Sequence, residues 1–197
     1  MRIAVFASGT GSNAEALIQA AKENQLGGEV VLLVSDKPEA GALKKAESYG
    51  IKTVALALKS FATKAEYEAK VVEHLQDHKV DFLCLAGYMR LVGSTLLTAY
   101  EGRIVNIHPS LLPAFPGLDA VGQALTAGVS ETGVTIHFVD AGMDTGPIIA
   151  QETVLIQKGD TSEDVMKKIQ AVEHQLYPRT VKQLMESKDV GGDGHNE

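Results

Sequence analysis

The chain has 197 residues and a formal net charge of −7, from 25 acidic and 18 basic side chains. Hydrophobic residues make up 45% and charged residues 22%, which is typical of a globular domain with a sizeable core. The acidic balance argues against a nucleic-acid substrate, and every apolar run is far shorter than the roughly 20 residues of a membrane-spanning helix. We therefore expect a cytoplasmic protein that acts neither on nucleic acid nor in a membrane.

Short apolar runs alternate with helix-like segments along the first hundred residues. Predicted strands cover 3–7, 30–35, 52–56, 82–85 and 103–107, and predicted helices cover 12–23, 39–49 and 63–78. This alternation is typical of parallel strands joined by crossover helices. The only cysteine, Cys84, lies in one of the apolar runs and is expected to be a buried, inert thiol.

The pattern changes after the fifth strand. A connection with Pro and Gly spans 109–117, a helix is predicted over 118–127, and strands over 133–139 and 147–156 predict a hairpin or a neighbouring pair. Together these elements predict a single-domain, Rossmann-like, doubly wound α/β fold. Helices cover both faces of a mostly parallel sheet, and antiparallel strands are added toward the C-terminus.

The last predicted element is a helix that begins at Thr161. Thr161 and Asp164 have the spacing of a capping box, and an apolar stripe follows them. Pro178 is expected to kink or interrupt this helix, because proline lacks the backbone N–H that the helix needs. We expect the functional domain to span residues 1–186 and residues 187–197 to form a disordered tail.

A glycine-containing loop, Ser8-Gly9-Thr10-Gly11-Ser12-Asn13, follows the first strand and precedes the first helix. Its backbone N–H groups at the start of a helix can bind a phosphate, although the same pattern also occurs in structural connectors. The dinucleotide fingerprint is incomplete, because Ala14 stands where that fingerprint requires glycine. Asp36 ends the second strand where a ribose-binding acid can lie, so a nucleotide cofactor remains a weaker alternative.

Asn106 and His108 stand two residues apart at the end of the fifth strand, so their side chains are expected on one face. An amide that donates to an oxyanion and a histidine that transfers a proton are the minimum equipment for acyl transfer to an amine. A lone histidine is more often structural, and the neighbouring amide favours the functional interpretation. Asp140 or Asp144, in the turn after strand 133–139, can partner His108, or both can simply shape that turn.

Two segments resemble the folate-dependent formyltransferases. They are Asn-x-His-Pro-Ser-Leu-Leu-Pro at 106–113 and Gly-Val-Thr-Ile-His-Phe-Val-Asp followed by Met-Asp-Thr-Gly-Pro at 133–147. The resemblance extends from Arg2 to about Leu184. It implies transfer of a formyl group from the co-substrate 10-formyltetrahydrofolate to the amine of glycinamide ribonucleotide, in de novo purine biosynthesis, without a metal.

The resemblance also implies a role for individual residues. Asn106 would bind the formyl oxygen, His108 would donate a proton, and Asp144 would support the histidine. The ribonucleotide would contact Thr10, Gly11, Ser12, Asn13, Gly87, Pro109 and Glu173. The folate would contact Lys64, Met89, Arg90, Leu91, Val92, Asn106, Val139, Asp140 and Asp144.

Three alternative functions compete with this assignment. Methionyl-tRNA formyltransferases carry a further C-terminal domain for tRNA, and formyltetrahydrofolate deformylases carry a further N-terminal domain. Neither domain is expected here. A non-catalytic nucleotide-binding module would need only the loop at 8–13. The segment 118–121 reads Leu-Asp-Ala-Val where some relatives carry histidines, which leaves contacts to the folate tail there open. The sequence also leaves the oligomeric state open, a homodimer included.

Overall fold

A computed structural model describes residues 1–187 of the chain. Its strands are β1 (Arg2–Phe6), β2 (Glu29–Ser35), β3 (Lys52–Ala55), β4 (Phe82–Leu85), β5 (Ile104–His108), β6 (Glu131–Phe138) and β7 (Ile148–Leu155). Its α-helices are α1 (Ser12–Lys22), α2 (Gly41–Ser48), α3 (Lys64–Asp77), α4 (Ser94–Ala99), α5 (Ala120–Ala127) and α6 (Ser162–Glu186). A short 3₁₀ turn spans Leu58–Ser60.

The seven strands form one sheet in the order β3-β2-β1-β4-β5-β6-β7. The first five strands are parallel, and β6 and β7 are antiparallel to their neighbours. The chain moves outward from β1 through β2 to β3, and then crosses back to place β4 on the other side of β1. The prediction of a mostly parallel, doubly wound sheet with a C-terminal antiparallel addition is confirmed.

Both faces of the central strands are buried under helices, and successive side chains of a strand point to opposite faces. In β1, Ile3 and Val5 pack in one core cluster with residues of α1, α2, α5 and α6. Ala4 and Phe6 pack in the other cluster, with residues of α3 and α4. Cys84 belongs to the first cluster, and burial raises the pKa of its thiol to about 12, as expected of an inert thiol.

The ends of the helices follow local capping chemistry. Thr63 caps α3 by accepting a hydrogen bond from the backbone N–H of Glu66. Thr161 and Asp164 form the predicted capping box at the start of α6. Helix α4, which has only six residues, was not predicted. The buried carboxylate of Glu68 supports it by accepting hydrogen bonds from the N–H groups at its start.

Helix α6 continues through Pro178 to Glu186, so the prediction that this proline interrupts the helix is wrong. Tyr177, Thr180 and Val181 are buried on either side of Pro178. Packing of these side chains against the sheet stabilises the helical path and offsets the missing backbone hydrogen bond. The predicted tail from 187 to 197 lies outside the described residues except for Ser187.

Candidate active site

A cavity of about 420 Å³ opens at the carboxyl ends of β1, β4 and β5. The connections from neighbouring strands β1 and β4 leave the sheet in different directions here, which is where doubly wound sheets bind ligands. The cavity brings together residues from segments far apart in the sequence. The predicted site residues that line it are Asn13, Gly87, Met89, Arg90, Leu91, Val92, Asn106, His108, Pro109, Val139, Asp144 and Glu173.

The loop after β1 leads into helix α1. Gly11 has a φ angle of 79°, and an added Cβ atom would lie 2.5 Å from the Cβ of Ala42, so this position requires glycine. Ser12 is the first residue of α1, and no side chain of the described residues caps the N–H groups of this first turn. These groups remain available to an anion at the edge of the cavity.

Asn13 connects this loop to helix α6. Its side-chain amide donates a hydrogen bond to Oε2 of Glu173 over 3.0 Å. Glu173 is buried on the stripe of α6 that faces the sheet, and burial raises the pKa of its carboxyl above the ordinary range. A buried carboxylate beside an amide can bind hydroxyl groups of a ligand.

The loop after β4 carries Met89, Arg90, Leu91 and Val92 along one wall of the cavity. The side chain of Met89 is 60% exposed, whereas Val92 is buried in the core between the sheet and α3. Exposed apolar side chains at the rim of a cavity favour a ligand with an apolar part.

His108 ends β5 and is held from two sides. Its Nε2 lies 2.8 Å from the carbonyl oxygen of Phe115, and since a carbonyl only accepts, Nε2 carries a proton. Its Nδ1 lies 3.5 Å from Oδ2 of Asp144. The relative exposures of the two side chains are 7% and 13%, so the imidazole and the carboxylate face each other in a largely water-excluded environment.

Asp144 lies between two histidines. Its Oδ2 also accepts a hydrogen bond from the backbone N–H of Gly117, and its Oδ1 lies 3.6 Å from Nε2 of His137. Interaction with His137, the Gly117 N–H and the charge of His108 together hold the pKa of the Asp144 carboxyl below its ordinary range. Asp144 is therefore ionised at neutral pH.

His137 was not predicted as a site residue. It lies opposite Asn106 in the antiparallel pair of β5 and β6, and its Nε2 is 3.3 Å from Nδ2 of Asn106. Its Nδ1 lies 2.8 Å from the carbonyl oxygen of Phe138 and donates to it, which holds the ring with Nε2 close to both the Asn106 amide and Asp144. A histidine inside an apolar strand is visible in the sequence. Its contact with Asn106 is not, because that contact depends on the register of β5 and β6.

Five predicted residues do not line the cavity. Thr10, Gly11 and Ser12 lie in the loop and first turn that precede Asn13. Lys64, the first residue of α3, donates through Nζ to the carbonyl oxygen of Leu91 and so supports the wall of the cavity. Asp140 accepts hydrogen bonds from the N–H of Gly142 and the hydroxyl of Thr145, so it shapes the turn.

Asp36 does not offer a free carboxylate to a ribose. Its Oδ1 accepts from the hydroxyl of Ser8, and its Oδ2 accepts from Nε of Arg90. The position of Asp36 at the end of the second strand was the reason to consider a nucleotide cofactor. Because both of its oxygens are engaged within the protein, that reason no longer holds.

Within residues 1–187, no group of three or more His, Cys, Asp or Glu side chains has the arrangement of a metal site. No helix in that part of the chain combines the length and apolar character that crossing a membrane requires.

The fold is a doubly wound α/β domain whose cavity holds an amide and a histidine at the end of β5 and a carboxylate from the turn after β6. A family model described as formyl transferase matches residues 1–181, and the chain belongs to this family. The resemblance expected from the sequence is thereby confirmed.

Individual relatives within this family are phosphoribosylglycinamide formyltransferases or contain a related segment. The chain is 52% identical to phosphoribosylglycinamide formyltransferase of Bacillus subtilis (strain 168), over 93% of this chain and 94% of that protein. A crystal structure of phosphoribosylglycinamide formyltransferase from Bacillus halodurans is 59% identical, with a TM-score of 0.92 over 94% of this chain and 96% of that chain. The trifunctional purine biosynthetic protein adenosine-3 of Drosophila melanogaster is 43% identical over 93% of this chain, which spans 14% of that protein.

Proposed function

We propose that this protein transfers the formyl group of 10-formyltetrahydrofolate to the amine of glycinamide ribonucleotide, a reaction of de novo purine biosynthesis. The products are formylglycinamide ribonucleotide and tetrahydrofolate. Residues 1–186 form the formyltransferase domain in this proposal. The observation that carries it is the convergence of Asn106, His108 and Asp144 on one cavity, in a chain 52% identical to phosphoribosylglycinamide formyltransferase of Bacillus subtilis.

The two substrates enter from opposite walls of the cavity in this proposal. The phosphate of the ribonucleotide binds the N–H groups at the start of α1, from Gly11 to Asn13, and its ribose hydroxyls bind Glu173. The uncapped first turn of α1 and the Asn13–Glu173 hydrogen bond support this arrangement. The folate binds between residues 89–92 and residues 139–144 of the loop after β6. The reacting amine and formyl carbon then meet between these walls, beside β5.

The amine nitrogen attacks the formyl carbon, and the carbonyl electron pair moves to the oxygen. The side-chain N–H of Asn106 that is not directed at His137 donates to this oxyanion, and the positive charge of a protonated His108 beside it stabilises it further. When the tetrahedral intermediate collapses, the bond from carbon to the folate nitrogen breaks. The amine loses a proton and the folate nitrogen gains one, with ionised Asp144 and a water assisting the transfer. The step needs no covalent enzyme intermediate.

The hydrogen bonds around the trio suit these roles. The carbonyl of Phe115 holds Nε2 of His108, so that Nδ1 faces Asp144. Nδ2 of the Asn106 amide lies 3.3 Å from Nε2 of His137, and this contact orients the amide so that one of its N–H groups is left for the substrate. Such preorganised donors are effective because they need no rearrangement during the reaction.

The test is to mix the purified protein with 10-formyltetrahydrofolate, with and without glycinamide ribonucleotide, and to follow the folate by absorbance. Loss of formyl-folate only with the ribonucleotide, together with a formylated ribonucleotide detected by mass spectrometry, is the expected result. Loss without the ribonucleotide would identify a deformylase instead. No loss under either condition would refute the proposed reaction.

A further inference from the structure

The residues 89–92, here called the folate segment, are fixed by contacts from two sides. On one side, Lys64 donates to the carbonyl of Leu91, and Glu68 accepts from the N–H of Gly93. On the other side, the contacts come from the ends of β1 and β2. These second contacts belong to a buried carboxylate, Asp36, that the proposed reaction does not use.

The side chain of Asp36 is fully buried, with 0% relative exposure, and both of its oxygens have partners. Oδ2 accepts from Nε of Arg90 over 2.7 Å, and Oδ1 accepts from the hydroxyl of Ser8 over 2.5 Å. A buried carboxylate persists only with such charged or hydrogen-bonding partners. The carboxylate therefore fixes the position of both partners.

Ser8 passes this constraint to the backbone of the folate segment. Its hydroxyl accepts a hydrogen bond from the backbone N–H of Met89 over 2.8 Å while it donates to Asp36. Its own backbone N–H donates to the carbonyl of Gly87 over 3.0 Å. Asp36 thus holds Met89 through the main chain and Arg90 through the side chain.

The ion pair with Asp36 restrains an Arg90 side chain that is otherwise partly exposed to solvent. The Arg90 side chain is 39% exposed and lines the cavity, so it could point into solvent at little cost. Pairing with a fully buried carboxylate holds it against the protein instead, at 54 residues' separation in the chain. The pairing fixes the direction of the segment on which the co-substrate rests.

We infer that Asp36 is a positioning residue for the folate co-substrate, acting through Ser8 and Arg90. It touches neither substrate. The inference rests on the proposed function, because it assigns the folate to the wall formed by residues 89–92. It extends that function by naming a carboxylate outside the cavity that sets the affinity for the donor.

The test compares wild type with Asp36→Asn and with Asp160→Asn as a matched control. Asp160 also pairs with a cation, since its Oδ2 lies 2.6 Å from Nζ of Lys168, but it does not line the cavity. Binding of tetrahydrofolate, the product, is measured by titration calorimetry and needs no turnover. Asp36→Asn should weaken binding roughly tenfold, as expected for loss of a charge-assisted hydrogen bond, and Asp160→Asn should leave it unchanged.

Steady-state kinetics separate positioning from general damage. Asp36→Asn should raise the KM for 10-formyltetrahydrofolate by about the same factor, with the KM for glycinamide ribonucleotide and kcat within roughly twofold of wild type. Equal rises in both KM values would mean general damage and would overturn the inference. So would unchanged tetrahydrofolate binding in a folded Asp36→Asn protein.

Arg90→Met removes the same ion pair by changing its partly exposed partner. It provides a second test if the Asp36→Asn protein does not fold. It should also weaken tetrahydrofolate binding, and adding Asp36→Asn should cause much less than a second tenfold loss, because the two residues act as a pair. If the loss of tetrahydrofolate affinity in the double variant equals the product of the two single losses, the inference is overturned. If wild type itself does not bind tetrahydrofolate, the proposed function fails rather than the role of Asp36 alone.

Discussion

Replacement of Asp144 by asparagine removes the carboxylate charge beside His108 while it keeps the shape of the side chain. The amide oxygen can still accept from the N–H of Gly117, which donates to Asp144 over 2.9 Å. The change therefore removes the charge that faces His108 and His137 while it preserves the structure of the turn.

The size of the effect follows from the geometry. Two unit charges 3.5 Å apart, the distance from Nδ1 of His108 to Oδ2 of Asp144, interact by about 5 kcal/mol at an effective dielectric constant of about 20 and by about 1 kcal/mol in water. The pair is only slightly exposed, so we expect a loss of roughly 2–4 kcal/mol in the transition state. That loss corresponds to turnover slower by about 30-fold to 1000-fold.

The assay is the initial rate of formyl transfer at saturating concentrations of both substrates, with the two KM values measured separately. Asp81→Asn is a suitable control, because Asp81 accepts from the backbone N–H of Arg2 at the opposite end of β4. The control should retain wild-type turnover. Wild-type kcat in a folded Asp144→Asn protein, or a loss confined to one KM, would refute the role of this charge.

Three further outcomes are expected. Glu173→Gln should raise the KM for glycinamide ribonucleotide by about tenfold, and leave the KM for the folate unchanged, in initial-rate measurements. Thr161→Ala should lower the free energy of unfolding by about 1 kcal/mol in thermal denaturation without loss of activity, because Thr161 caps helix α6. Hydrogen bonding from Lys168 lowers the pKa of Asp160 below its ordinary value of 3.8, so its stabilising contribution is present at neutral pH and is lost as the pH falls below that value. The melting temperature should therefore fall less steeply in acid for Asp160→Asn than for wild type.

The fold was largely predictable because its strands are short, apolar and regularly separated by helices. Strand alternation also predicted the shared face of Asn106 and His108, which line the same cavity. Helix α4 escaped prediction because six residues are too few to show a helical period, and its start depends on Glu68 from another helix. The path of α6 through Pro178 likewise depends on tertiary packing rather than on local propensity.

Contacts that depend on register or on distant segments could not be predicted. His137 faces Asn106 only because β5 and β6 pair in one particular register, and a shift by one residue would turn His137 away. Asp36 and Arg90 meet because β2 and β4 lie on either side of β1, so the loops after these two strands emerge at the same edge of the sheet. A single sequence gives no pairing information of this kind.

The turn after β6 shows how two carboxylates that look equivalent in the sequence acquire different tasks. Asp140 is engaged within the turn by Gly142 and Thr145, so its charge helps to hold the loop in one conformation. Asp144 adopts a left-handed backbone with a φ angle of 54°, a conformation that costs a residue with a side chain about 1 kcal/mol. The bonds made by Asp140 and by the N–H of Gly117 offset that cost and direct Asp144 toward His108. The turn is therefore stabilised by one carboxylate so that the other can be held beside the histidine.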